Sequence, residues 1–99
     1  MNMQAMLKQA QNMQKQMMNE QEKISNTTFY GENGLVKVTM KGNRKLEKVE
    51  IQKDSDLAKD DIEMLEDMVL VAVNDALKQI DKTTEEKMGK YTKGLPGLF

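Results

Sequence analysis

The chain has no cysteine and no histidine among its 99 residues, and these two absences exclude a great deal of chemistry. They remove the thiolate nucleophile, the imidazole acid–base group, the disulfide framework and the ordinary zinc or haem site. Tryptophan is also missing, aromatic residues make up 4%, and Pro96 and Arg44 are the sole proline and arginine. No Ser or Thr has a histidine base to activate it, and no glycine-rich loop ends in the Lys-Ser/Thr of a phosphate cradle. No run approaches the ~18 consecutive apolar residues of a membrane span. The opening residues, Met1-Asn2-Met3-Gln4-Ala5-Met6-Leu7-Lys8, lack the basic and apolar regions of a secretory signal. The expectation is a soluble cytoplasmic protein with no catalytic residue, cofactor, metal, small-molecule substrate or membrane partner.

Weaker chemical readings also fail on their residues. Glu63, Glu66 and Asp67 are better explained as the solvated acidic start of a helix than as a carboxylate catalyst. Asp54-Ser55-Asp56 opens like a calcium loop, but Ala58, Lys59 and Asp60 then stand at the wrong positions. Asn26-Thr27-Thr28 matches a glycosylation acceptor without the secretory signal that would make it one.

What is present is polar. The hydrophobic share is 38%, the charged share 31%, and the net charge −1. A chain this short and polar buries a thin core alone, and oligomerisation is a common remedy. The charge is mildly segregated: +1 over residues 1–25, +3 over 26–53 and −5 over 54–99.

Two hydrophobic periods divide the chain. Met3, Ala10, Met17 and Ile24 stand seven apart, with Met6 and Met13 at the second seam position, so residues 1–25 are expected to form a helix suited to packing on another. Between 26 and 53 the period changes to two. Val36, Val38 and Met40 alternate with Lys37, Thr39 and Lys41, and Val49 and Ile51 with Lys48 and Glu50. Gly31-Glu32-Asn33-Gly34 and Gly42-Asn43 supply turn chemistry, which predicts a three-stranded antiparallel meander with one buried and one polar face. After a polar connection, Asp60 and Glu63 fit a capping-box variant. Ile62, Leu65, Val69, Ala72, Val73, Ala76 and Ile80 then keep helical spacing, which predicts a helix over 60–88, either ended by Gly89 or running on in a frayed segment to Tyr91, and an irregular tail over 89–99. The fold class is α+β, in the order α-β-β-β-α. Both helices are longer than strands of this size can cover, so their ends should project and seek a partner.

The basic residues are the remaining candidates. Lys8 and Lys15 lie seven apart at the heptad position farthest from the seam, and Lys78 and Lys82 lie four apart, followed by Lys87, Lys90 and Lys93. Lys41, Arg44 and Lys45 crown the second turn. On projecting helices such residues suit the phosphates of a duplex, though an ion pair from Lys82 to Glu86 would blunt its pull.

Several segments together resemble the YbaB/EbfC family of bacterial nucleoid-associated DNA-binding proteins. They are Lys8-Gln9-Ala10-Gln11-Asn12-Met13-Gln14-Lys15-Gln16-Met17, Gly34-Leu35-Val36-Lys37-Val38-Thr39-Met40-Lys41-Gly42, Leu65-Glu66-Asp67-Met68-Val69 with Ala72-Val73-Asn74-Asp75-Ala76, and Leu95-Pro96-Gly97. The resemblance implies a homodimer joined through its central region, with helices projecting like tweezers. It also implies binding to double-stranded DNA on the terminal helices, a nucleoid location, and a role in nucleoid organisation and gene regulation. Contact carries over best to Lys8 and Lys15, inside the matched motif, and extends to Lys78, Lys82 and Lys87 beyond it. The chain departs from the family pattern in lacking a glycine-rich leader and in its single arginine.

A second reading comes from another class. Two helices flanking strands resemble prefoldin in outline, and a methionine-rich seam adapts to varied apolar partners, as a protein-binding adaptor or chaperone would require.

Overall fold

A computed structural model describes residues 2–52 and 57–92. The first helix, α1, spans Met3–Asn26. It is built from Gln, Met, Lys and Ala, which are good helix formers uninterrupted by Gly or Pro. Asn2 caps it, its side-chain oxygen accepting from the Gln4 amide at 3.0 Å. At the other end the Thr27 hydroxyl donates to the Lys23 carbonyl at 2.6 Å.

Three strands follow: β1 (Thr28–Asn33), β2 (Val36–Lys41) and β3 (Leu46–Ile51), paired antiparallel in the order β1-β2-β3. Val38 stands between Gly31 and Val49, and Val36 between Asn33 and Ile51. The expected turn at Gly31-Glu32-Asn33-Gly34 is shorter than its composition suggests: the strand runs through Gly31, and only Gly34-Leu35 connects β1 to β2. Gly31 is a packing residue. Its missing side chain lets α2 approach, because a Cβ there would collide with the Ala72 carbonyl and sit 2.8 Å from the Ala76 nitrogen. Gly42 is likewise pressed against α1, where a Cβ would stand 2.6 Å from the Ile24 carbonyl carbon.

The second long helix begins differently from the Asp60–Glu63 box the sequence suggests. A 3-10 turn over Lys59–Asp61 leads into α2, Ile62–Thr92. Asp61 reaches back to accept from the Ala58 amide at 2.8 Å. The helix also outlasts its expected end at Met88, passing through Gly89 to Thr92. Tyr91 supplies the reason: it is buried with Ile24 and Met88, and Met17 packs against them. That tertiary contact outweighs the ~1 kcal/mol helix cost of one glycine. Of the expected tail, residues 93–99 lie outside the described residues, as do 53–56 of the connection.

The core lies between α2 and the inner face of β1 and β2. Phe29, Val36, Val38 and Met40 meet Ala72, Ala76 and Ile80, with Leu65, Met68, Val69, Val73 and Leu77 around them. This alternation on the strands is the buried face that the sequence period anticipates. The third strand departs from it. Every residue of β3 is exposed, although Val49 and Ile51 share the inner face with Val38 and Val36. The chain is 72 Å in its longest dimension and 14 Å in its shortest.

Candidate nucleic-acid interface

The long dimension comes from the helices. α1 enters the sheet and α2 leaves it, so the two run antiparallel and meet through Ile24 and Met17 on one side and Met88 and Tyr91 on the other. Beyond Met17 the outer part of α1 has no cover: every residue from Asn2 to Gln16 is exposed. It forms an arm of ~20 Å at ~1.5 Å per residue.

Lys8 and Lys15 lie on this arm, both exposed and ~10 Å apart along the axis. No acid occurs between residues 2 and 19. The helix N-terminus at the tip adds a partial positive charge. At the opposite end of the fold, Asp60, Asp61, Glu63, Glu66 and Asp67 cluster around the start of α2. A net charge of −1 thus conceals a polarised molecule whose projecting arm is locally basic.

The polar residues beside the two lysines were not singled out from the sequence. Gln11 and Asn12 each lie three or four residues from both Lys8 and Lys15, and Asn19 lies four beyond Lys15, which places the five on one helix face, and all five are exposed. Two ammonium groups and three side-chain amides form a donor-rich strip of the kind that phosphate and sugar oxygens accept from. The signal was the spacing itself, inside a segment read only as a family signature.

The α2 candidates divide. Lys78, Lys82 and Lys87 are all exposed, and none pairs with a carboxylate among the described residues. The Lys82–Glu86 pair considered from the sequence is not formed. Lys78 and Lys82 share a face over the sheet region, whereas Lys87 is turned ~140° from Lys82 at ~100° per residue. Lys87 stands beside Met88, at the level where α2 packs on α1. The structure therefore does not gather all five lysines on one surface.

Four of the basic residues around the sheet are occupied. Arg44, held at a φ of 70° in the β2–β3 turn, forms an ion pair with Asp81 of α2. Lys41 donates to the Thr28 hydroxyl at 3.0 Å and to the Asn26 carbonyl at 3.4 Å. Lys37 lies 4.7 Å from the Tyr30 ring centroid, and Lys48 is 3.7 Å from Glu50. These cations bind the fold together, while those on the arm have no such partner among the described residues.

No helix among the described residues is long and apolar enough to cross a membrane, and no cluster of acidic side chains there could hold a metal ion. Comparison with known proteins gives the arm its context. Nucleoid-associated proteins of Lactococcus lactis and Enterococcus faecalis are 55% and 48% identical to this chain, the first over 97% of this chain and 98% of its own length, the second over 98% and 94%. A nucleoid-associated protein of Ligilactobacillus salivarius is 44% identical over 99% of this chain and 95% of its own. The model of the YbaB/EbfC DNA-binding family matches residues 1–95, and the chain belongs to that family.

Proposed function

We propose that the protein is a nucleoid-associated homodimer that binds double-stranded DNA through its backbone and alters its conformation, with no catalytic step. The observation that carries the reading is the strip Lys8–Gln11–Asn12–Lys15 on a projecting arm free of acids, continued by Asn19 at its base. Lysine and amide donors suit phosphates, and no arginine-based constellation for reading base edges is present, so sequence preference is modest. Lys78, Lys82 and Lys87 act as secondary contacts along α2. The names of the relatives favour a nucleoid location. Neither those names nor the family favours the adaptor alternative.

Two features support the dimer. The outer edge of β1 is closed, because Asp75 accepts from the Glu32 amide at 3.1 Å and Gln79 donates to the Tyr30 carbonyl at 2.8 Å. β3 is the open edge, and its Leu46, Val49 and Ile51 remain 42%, 42% and 39% exposed. An unpaired edge with apolar side chains is a ready surface for a second chain. A second copy on β3 would complete the core beside α2 and bring two arms into one particle.

Salt-dependent binding tests the proposal. The primary contacts, two lysines on each of two arms, neutralise four phosphates and set a slope of log K against log salt near −3.6 at ~0.9 per phosphate, which any secondary contact from α2 steepens. Fluorescence anisotropy with a labelled duplex measures it. No binding in dilute buffer, or binding indifferent to salt, would falsify the reading.

A further inference from the structure

The apolar seam of the arm faces away from the lysine strip, and backbone contacts to DNA leave it unused. Met3, Met6 and Met13 are 82%, 53% and 41% exposed, and Leu7 on its flank is 61% exposed. Nearer the sheet the same seam is already a helix–helix interface, where Met17 and Ile24 pack with Met88 and Tyr91 of α2. Beyond Met17 none of the described residues covers it. We infer that this free stretch is the docking surface for the arm of a second copy, laid antiparallel along it, so that arms couple one particle to another.

Register and continuity favour this occupant. Met3, Met6, Ala10 and Met13 follow the three-four alternation of a coiled-coil seam. Two antiparallel arms centred at the level of Lys8 bring Met3 of one against Met13 of the other, and Met6 against Ala10. Large side chains then meet small ones at the middle of the contact. The overlap uses the whole free seam of both copies, ~15 Å at ~1.5 Å per residue. A parallel partner would instead bring Met88 and Tyr91 of both copies to one level, where they compete for the space between the helices. Antiparallel arms avoid this, because α2 meets the seam at Met17 and Ile24, outside the overlap.

Charge favours it as well. The flanking residues Leu7, Gln9, Gln14 and Gln16 are all uncharged. Like charges at those positions would drive two identical helices apart, and here there are none. Lys8 and Lys15 lie opposite the seam, so pairing leaves both lysine strips facing outward. The flexible methionine thioether adapts to a second seam of its own kind. Antiparallel arms hold their bodies at opposite ends, whereas a dimer joined through β3 holds its bodies together, so the contact links separate particles. About three turns of overlap bind weakly, and the coupling takes hold where particles are crowded.

The absence of native cysteine makes the test direct. Full-length Met6→Cys, labelled with heavy nitrogen, is mixed with unlabelled Ala10→Cys at high concentration without DNA, oxidised mildly and weighed by intact mass spectrometry. The expected main product is the mixed disulfide, at least ten times more abundant than in a control mixture of Met6→Cys with Asn12→Cys, whose cysteine is on the lysine face. Equal yields in the two mixtures, or a predominance of self-paired Met6→Cys chains, overturn the inference. As a check free of cysteines, sedimentation of the unaltered chain is compared with Met6→Glu/Met13→Glu, which changes only exposed positions and should keep its circular dichroism. The unaltered chain is expected to gain mass with concentration beyond the plateau of the variant, and identical curves overturn the inference. Protection of Met6 and Met13 from peroxide that persists on dilution also overturns it, since the cover then comes from within one chain. No measurement here contains DNA or alters β3, so failure is distinct from failure of DNA binding or of the β3 contact.

Discussion

Gly31 of β1 and Ala72 of α2 meet so closely that a single methyl group at Gly31 would collide with the Ala72 carbonyl oxygen. The contact is backbone against strand, with Ala76 one turn further on and 2.8 Å from the same absent Cβ. Flexible side chains can yield to such a clash, but helix backbone cannot without lifting α2 off the sheet. Gly31→Ala is expected to destabilise the protein by about 3 kcal/mol, at the upper end of overpacking costs. Gly89→Ala is the contrast: a Cβ there meets nothing within 4 Å, and replacing this glycine in the last turn of α2 is expected to gain up to ~1 kcal/mol. Urea denaturation of the two variants checks both signs.

Asp75 and Gln79 protect the β1 edge with side chains from α2. Asp75→Ala removes the acceptor from the Glu32 amide. Because that amide is exposed, water replaces the lost partner and the stability cost stays near 1 kcal/mol. The local effect is larger. Amide hydrogen exchange at Glu32 is expected to accelerate at least tenfold, while the Val38 amide in the central strand changes little. Equal acceleration at both positions would mean that the contact governs global rather than edge stability.

The order of elements was legible in the sequence because the hydrophobic period changes from seven to two and back to helical spacing. Local chemistry misled at particular residues. Gly31 has the composition of a turn residue, and only the approach of Ala72 from 41 positions away reveals it as a packing residue. Gly89 looked like a helix stop because the partner that holds the next turn, Ile24, belongs to the other helix. Val49 shares the alternation of Val36 and Val38, yet no pattern tells a strand covered by its own helix from one left open. The lysines at positions 8 and 15 were readable from heptad phase, whereas the occupation of Arg44 by Asp81 was not, since it depends on how the turn folds over α2.

Val49 and Ile51 distinguish an open edge from an interface. Both project from the core face but are exposed in the single chain, so a charge there does little harm to the lone fold. Val49→Asp is expected to halve the mass measured by sedimentation equilibrium while far-ultraviolet circular dichroism stays the same. Losing the second arm removes the gain from two linked contacts, which is commonly 10²-fold or more. DNA affinity should therefore fall by about that factor although residue 49 is far from the lysine strip. A variant that remains dimeric would move the interface away from β3.

Lys15 and Gln11 are expected to fail in different ways when replaced. Lys15→Gln removes one ammonium from each arm, and two fewer phosphates shift the salt slope from near −3.6 to near −1.8. Gln11→Ala together with Asn12→Ala removes neutral donors that displace no counterion. Affinity should fall several-fold, for about 1 kcal/mol of lost hydrogen bonding on each arm, with the slope unchanged. Lys48→Gln, on the sheet beside Glu50, serves as the control and should alter neither quantity. Anisotropy titrations at four or more salt concentrations separate the three variants. Equal slope changes for Lys15→Gln and Lys48→Gln would show a diffuse positive field at work, and the arm would then have no special claim on the phosphates.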